Sequence, residues 1–388
     1  MQNEKTGMID ASIVQKLKEE TEKIRAYLKQ QGKLEEKPKL PKEEKIEGEA
    51  TATAYPILGL EKYLGMSDSE LRLAYFPSVS VCHKVMQTIT YVKFDRRLED
   101  DLFIVNGKQI DKSLTRASKV IRCFRNDTGI KTKVLIASRN RFQNGSDAKG
   151  LGTSAAAGAA LAKAIISAAY GEEMSRKSRL VSTYARLFAG SASRSAAGGV
   201  ALWFSYEGIA PEESYSVRID DGELPLKMVV VPLPLGITTE EMHRRALSSP
   251  FYEKWATNKA QHVFELVNHV ENRDVFKIGE MAESDTRFFH SLLLQCGALV
   301  WMPETVSIIH LVSKLREAHF PVHYSIDTGP SVFIITDNKH ADRVRTEVST
   351  ALENRCPTVI SEIGGPPETA SEKDRSLLLD DIKHLDKM

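Results

Sequence analysis

The sequence predicts an α+β fold of two domains meeting at a cleft, and three features of the 388-residue chain carry that expectation. Short alternating apolar stretches interleave with amphipathic ones, without the strict strand–helix–strand repeat of a parallel α/β protein. Two loops of small residues, 145–152 and 190–199, interrupt the first half at places where a ligand can approach the backbone. A turn at 220–223 then resets the pattern ahead of the strongly apolar stretch 226–232. The division that follows is an N-terminal extension over 1–48, one domain over 49–225 and a second over 226–388.

Residues 1–48 differ in character from the rest. Asp10 or Ser12 can cap a helix in which Ile13, Val14, Leu17, Ile24 and Leu28 fall on one stripe, with Gly32 ending it. Charges alternate around Pro38 and Pro41 over 33–49, the pattern of a linker. The stripe suits packing on the chain's own body or on a partner subunit, and equally a frayed, solvated tail. Beyond it, 52–59 is extended, 78–83 and 88–94 alternate like antiparallel strands, and Asn106-Gly107 signals a hairpin. A helix is expected over 112–126 and a strand over 131–138. The central stretch 145–171, GSDAKGLGTSAAAGAALAKAIISAAYG, runs from a glycine loop into Thr153-Ser154 and then an alanine-rich helix over 155–169. A helix over 175–187, the second small-residue loop and a strand over 203–206 complete the first domain. In the second, helices are expected over 239–247, 250–270, 274–294, 303–318 and 340–353. Strands are expected there over 226–232, 322–325, 332–336 and 357–363, before Gly364-Gly-Pro-Pro367 opens a charged tail.

Composition narrows the function classes. With 53 basic and 52 acidic residues the net charge is +1, so no global basic field marks a nucleic-acid partner. No apolar run is long enough to span a bilayer and the N-terminus lacks an apolar signal core, so a cytoplasmic protein without a membrane partner is expected. The four cysteines, Cys82, Cys123, Cys296 and Cys356, form no CxxC pair, and three have apolar neighbours; buried free thiols are expected. The ten histidines show no ligand spacing such as HExxH, so no metal site is expected.

Four places carry residues suited to binding and catalysis. In the central loop, glycines and the start of the following helix offer converging backbone N–H groups beside the Thr153 and Ser154 hydroxyls, a cradle for phosphate or carboxylate oxygens. The spacing matches neither the P-loop nor GxGxxG, and a simply capped core helix would read the same way. The second loop offers Ser191, Ser193 and Arg194, whose guanidinium can grip a phosphate bidentately or pair with an acid across the domain interface. Lys62 precedes Tyr63 in a tightly turned apolar segment, where a solvated lysine is the plain alternative. Asp327 sits in a turn between apolar strands, where an Asx cap is the plain alternative.

These segments resemble diphosphomevalonate decarboxylases, a branch of the GHMP small-molecule kinase superfamily. The family pattern A-P-x-N-I-A-x-x-K-Y-W-G-K, continuing to S-x-S-V, stands here as Ala54-Tyr55-Pro56-Ile57-Leu58-Gly59-Leu60-Glu61-Lys62-Tyr63-Leu64-Gly65-Met66 and then Ser78-Val79-Ser80-Val81. The central loop is similar to A-G-L-A-S-S-A-A-G, and Gly190-Ser191-Ala192-Ser193-Arg194-Ser195 with Gly198-Gly199 to G-S-G-S-A-C-R-S-x-x-G-G. Ser248-Ser249-Pro250-Phe251-Tyr252 with Trp255 resembles T-S-P-F-Y-x-x-W, and Ser325-Ile326-Asp327-Thr328-Gly329-Pro330 resembles F-D-A-G-P. The match covers most of residues 52–340. It implies a GHMP-kinase fold with a left-handed β-α-β unit in the N-terminal domain, a ferredoxin-like C-terminal domain, a deep cleft and a homodimer. It also implies roles: Asp327, Lys62 and Arg194 in catalysis, and Tyr63, Ser191, Ser193, Arg194, Lys149, Gly150, Gly152, Thr153 and Ser154 on the substrate and its phosphates. The implied substrate is a phosphorylated mevalonate, from whose tertiary carbon phosphate leaves together with CO₂.

Two departures refine that implication. The second lysine of K-Y-W-G-K is Met66, one cation fewer at the end that faces the 5-diphosphate. Before Gly150-Leu151-Gly152, the nucleotide loop reads Gly145-Ser146-Asp147-Ala148-Lys149, where Asp147 would repel a triphosphate and Lys149 could occupy the position of one. The chain therefore looks most like archaeal mevalonate 3,5-bisphosphate decarboxylases, which yield isopentenyl phosphate, and no cofactor is expected. The alternative is an ATP- and Mg²⁺-dependent diphosphomevalonate decarboxylase giving isopentenyl diphosphate. A mevalonate 3-kinase type of phosphotransferase is disfavoured by the presence of both Asp327 and Lys62.

Overall fold

The computed structural model describes residues 9–142, 151–234 and 239–385. Three sheets organise them. A six-stranded sheet runs in the order Glu368–Thr369, Gly48–Ala54, Met86–Phe94, Val134–Phe142, Leu102–Val105, Lys108–Gln109. Asn106 and Gly107 turn its last hairpin with positive φ at both positions, as the Asn-Gly signal requires. A second, four-stranded antiparallel sheet joins Ile57–Glu61, Ser78–Cys82, Val200–Trp203 and Ser216–Arg218. The third joins His323–Ser325, Val332–Asp337, Leu226–Val231 and Val359–Ser361, all antiparallel. Numbered along the chain, its strands lie in the order 2-3-1-4, the ferredoxin-like arrangement.

Against the six-stranded sheet lies the helix Thr153–Ser175, which packs on strands Gly48–Ala54 and Met86–Phe94 and is covered by helices Ser178–Phe188 and Ala192–Ala197. It is buried along most of its first turns because alanine side chains let strands and helices approach closely. The main core cluster continues from Leu58, Val79 and Leu202 of the second sheet to Met228 and Phe333 of the third, and to Leu266, Ile278 and Phe289 of the helices covering it. That continuous apolar floor fixes the two halves against each other beneath the cleft.

The N-terminal helix forms over Ala11–Gln30, capped by Asp10, whose carboxylate accepts from the Ser12 N–H. It packs on the chain's own body through Leu17, Ile24 and Leu28. Tyr27 meets Phe264 edge-on and donates to Glu271, and the Arg25 guanidinium lies 4.2 Å over the Phe204 ring. The segment after Gly364 departs from the expected charged tail. Glu368–Thr369 pairs with Thr53 and Ala52, and helix Glu372–Leu385 buries Leu378 against the six-stranded sheet. Arg139 and Arg141, on the strand beneath, pair with Asp381 and Asp374. These two aspartates form ion pairs with residues more than two hundred positions away in the same chain, which local composition does not reveal.

Four more expectations change. The second small-residue loop contains a short helix, Ala192–Ala197, ended by Gly198 at φ 70°. The strand after it is Val200–Trp203, set by pairing with Ser78–Val81. The helix expected over 250–270 is two, Tyr252–Ala256 and Lys259–Glu271, and both Trp255 and Lys259 turn inward to Asp285. All four cysteines are free, but only Cys82 is buried, its thiol pushed by that burial up to about 12; the other three are partly exposed.

Candidate active site

A cleft of about 660 Å³ opens between the halves, lined by Gly59, Lys62, Tyr63, Gly152, Thr153, Ser154, Ser191, Arg194 and Asp327 among others. Residues from four distant segments therefore meet, as the sequence reading expects. Lys149, Gly150 and Asp147 lie outside the described residues.

Asp327 is delivered by the turn after strand His323–Ser325. Its two oxygens lie 3.2 and 3.3 Å from the Gly59 N–H, which donates to them. A Cβ on residue 59 would come within 3.0 Å of Asp327 Oδ1 and 2.8 Å of Lys62 Cγ, so the contact needs glycine. Burial pushes the Asp327 carboxyl above the usual range, opposed by the Lys62 cation and the Gly59 N–H. About 29% of the side chain remains exposed, toward the cleft.

Lys62 stands behind this carboxylate. Its ammonium donates to Gly59 O at 2.8 Å, Thr286 Oγ1 at 2.9 Å and Ser325 Oγ at 2.7 Å. An ammonium has three hydrogens and all three are used, leaving none for a departing phosphate. Its Nζ is 3.8 Å from Asp327 Oδ1, so it acts on the site through that carboxylate. Burial lowers its pKa, with Asp327 and Asp285 opposing. Asp285 accepts from the Lys62 N–H at 2.8 Å and from Trp255 Nε1 at 2.8 Å, and pairs with Lys259, which also reaches Glu61 at 2.7 Å. Burial alone would raise Asp285, but the Lys259 and Lys62 cations outweigh it and hold the carboxyl low.

Arg194 is 2% exposed and has no carboxylate within ion-pair distance among the described residues. Its Nε donates to Ser80 Oγ and Nη1 to Ser78 Oγ, both at 2.6 Å, and its guanidinium lies 4.9 Å from the Tyr63 ring centre. Among the described residues, no acid across the interface pairs with it. Serine hydroxyls hold the fork in place without cancelling its charge; burial lowers its pKa, opposed in part by the Asp327 carboxylate across the cleft, and a buried cation without a paired acid attracts an anion strongly. Ser191 lines the cleft beside it. Ser193, expected on the substrate, does not: it is fully buried, donating to Gly190 O and accepting from Ser216 Oγ. At Thr153–Ser175, Gly152 is the N-cap at φ 72° and no side chain among the described residues caps it, so the first N–H groups open on the cleft.

Residues 54–216 match the family described as diphosphomevalonate decarboxylase-like N-terminal domain, and residues 238–342 match the mevalonate-3-kinase C-terminal domain. The chain is 32% identical over 330 residues to phosphomevalonate decarboxylase of Haloferax volcanii, covering 84% of this chain and 98% of that protein. It belongs to the mevalonate-pathway decarboxylase family. Mevalonate 3,5-bisphosphate decarboxylase of Thermoplasma acidophilum is 29% identical over 331 residues, covering 84% of this chain and 80% of that one. Among solved structures, mevalonate diphosphate decarboxylase from Staphylococcus aureus superposes with a TM-score of 0.74 at 28% identity, over 84% of this chain and 99% of that chain. The fold is accordingly the GHMP-kinase fold, and the protein is a carboxy-lyase.

Several cleft residues of this decarboxylase carried no sequence signal. His243 accepts from the Gly65 N–H through Nδ1 at 3.1 Å, which puts the neutral ring's proton on Nε2; burial lowers its pKa to about 4. Arg72, Arg116 and Glu240 also line the cavity. Each sits in an ordinary polar stretch, and only folding brings them together. The end of the cleft near Met66 is therefore not short of cations, as the missing lysine had suggested.

Proposed function

We propose that this decarboxylase acts on mevalonate 3,5-bisphosphate, eliminating phosphate and CO₂ to give isopentenyl phosphate without ATP. The carrying observation is Arg194, a buried cation whose guanidinium donates to serine hydroxyls and has no paired acid among the described residues, facing the same cavity as the Asp327 carboxylate. Relatives named for a bisphosphate and a phosphomevalonate substrate support the choice of substrate class. The C–O bond to the 3-phosphate breaks with its electron pair leaving on phosphate. The bond to the carboxylate carbon breaks as its pair forms the new double bond, so atoms and electrons balance without a co-reactant. Arg194 and the N–H groups starting Thr153–Ser175 stabilise the charge gathering on the departing phosphate. Asp327 favours the positive character growing at the tertiary carbon. Lys62 opposes the protonation of Asp327 that burial favours, and holds the carboxylate in place.

A second reading, ATP- and Mg²⁺-dependent decarboxylation of 5-diphosphomevalonate, is favoured by the same uncapped helix start, which could hold a nucleotide phosphate instead. If ATP and Mg²⁺ bind, Thr153 and Ser154 are the described residues placed to hold the phosphates. CO₂ release decides between them. Mevalonate 3,5-bisphosphate should react with neither nucleotide nor magnesium present. Release only from 5-diphosphomevalonate with ATP would overturn the ATP-independent reading.

A further inference from the structure

Behind the cleft lies a buried charge cluster centred on a lysine that does not line it. Lys259 has no exposed surface, and its ammonium donates to Glu61 Oε1 at 2.7 Å and to Asp285 Oδ1. Glu61 and Asp285 are buried as well. The Lys259 Nζ lies 4.1 Å from the centre of the Trp255 ring, and Trp255 Nε1 donates to the same Asp285 oxygen at 2.8 Å. The second Asp285 oxygen, Oδ2, is left facing the Lys62 N–H, which donates to it at 2.8 Å. One ammonium therefore grips two consecutive residues, Glu61 through its side chain and Lys62 through Asp285 and the backbone.

That grip falls on an irregular piece of strand. Ile57–Glu61 pairs with Ser78–Cys82 in regular register as far as Gly59 opposite Ser80, but the next pair is Glu61 opposite Val79. Leu60 is thus an extra residue, and the strand bulges there. A bulge interrupts the ladder, bends its strand and re-aims the side chains beside it. Here its flanks carry Gly59, whose N–H donates to Asp327, and Lys62, whose ammonium stands 3.8 Å from the same carboxylate. Ser80, opposite the bulge, supplies the hydroxyl that orients Arg194. Glu61, Lys62, Lys259 and Asp285 bury four charges, yet apolar residues of similar volume commonly hold a core as well or better. Stability alone is therefore a poor reason for the cluster, and its place under the bulge is a better one.

We infer that Lys259 is a positioning residue for the elimination: by holding Glu61 and Asp285 together it fixes the bulged segment Gly59–Lys62 beneath the Asp327 carboxylate. This rests on the proposed action of Asp327 at the tertiary carbon. Lys259 acts on the reaction only through where that carboxylate stands. Removing its ammonium leaves Glu61 and Asp285 buried with no cation between them, and the two carboxylates repel. Asp285 then loses the contact that turns its second oxygen to Lys62, and the bulged segment relaxes. A displacement of about 1 Å is enough to cost on the order of a hundredfold in rate.

Initial rates of CO₂ release across substrate concentration test this in single and double variants. Lys259→Met should lower kcat at least about tenfold while KM changes by less than about twofold. In an Asp327→Asn background the same substitution should lower kcat by less than about twofold, because the carboxylate it positions is gone. Losses that multiply in full, a rise in KM as large as the fall in kcat, or parental kcat in a folded Lys259→Met would each overturn the inference. Should Lys259→Met not fold, Glu61→Leu combined with Lys259→Met replaces the pair by apolar side chains. It should show the same loss of kcat, and parental turnover in it would overturn the inference. The rates are taken with whichever substrate the parent decarboxylates, mevalonate 3,5-bisphosphate alone or 5-diphosphomevalonate with ATP, so a failure of the ATP-independent reading leaves this test standing. Parental turnover in Asp327→Asn alone would instead remove the proposed role of Asp327.

Discussion

The two walls of the cleft carry opposite charge. The wall built from residues before 226 presents cations, Lys62, Arg72, Arg116 and Arg194, while the wall after residue 226 presents the carboxylates Glu240 and Asp327. Their surroundings differ too. Arg194 is held by neutral hydroxyls and keeps its charge for a ligand, whereas Asp327 is matched by a buried lysine that makes its ionised state tolerable. The first wall is built to bind phosphate, and the second to hold one carboxylate against a carbon. Neither wall is a site without the other, so the chemistry depends on the apolar core that docks the two halves.

Removing the carboxylate should break this division most severely. Asp327→Asn should cut turnover by at least about a hundredfold, the scale of losing one preorganised electrostatic stabiliser. The same change should leave the melting temperature equal or higher at neutral pH. The folded pKa of Asp327 is raised, so the folded state favours its protonated form and loses stability as pH rises through that value. A neutral amide removes that loss. Turnover within a few-fold of the parent would remove Asp327 from the chemistry.

On the opposite wall, Arg194→Lys keeps the charge but loses the planar fork that Ser78 and Ser80 orient. Substrate affinity and turnover should each fall by about tenfold, measured by initial rates across substrate concentration. An unchanged variant would show that only the charge matters there.

Lys62 links the walls, and its loss should sharpen their difference. With the cation gone, Asp327 keeps its burial but loses the main influence opposing it, so its pKa rises further. The acid limb of the kcat/KM profile should therefore move to higher pH in Lys62→Met, with the deficit partly recovered under alkaline conditions. A uniform loss at every pH would mean that Lys62 touches the substrate itself.

Much of this protein was legible along the chain. The alternation of 78–83 and 88–94, the Asn-Gly hairpin and the alanine-rich helix follow from local preferences, and local preferences are written in neighbouring residues. Lys62, Arg194 and Asp327 were legible because each lies in a contiguous pattern shared with known decarboxylases. What the tertiary structure alone decided is relational. Ser193 faces into the protein rather than the cleft because Ser216 and Gly190 supply its partners. Lys62 serves Asp327 rather than a phosphate because Thr286 and Ser325 take its remaining donors. Arg72, Arg116 and Glu240 come from three segments with no motif among them, and their proximity exists only once both halves have docked. Charge and hydrogen-bonding capacity are properties of a residue, but which partner uses them depends on distance, and distance is set by packing.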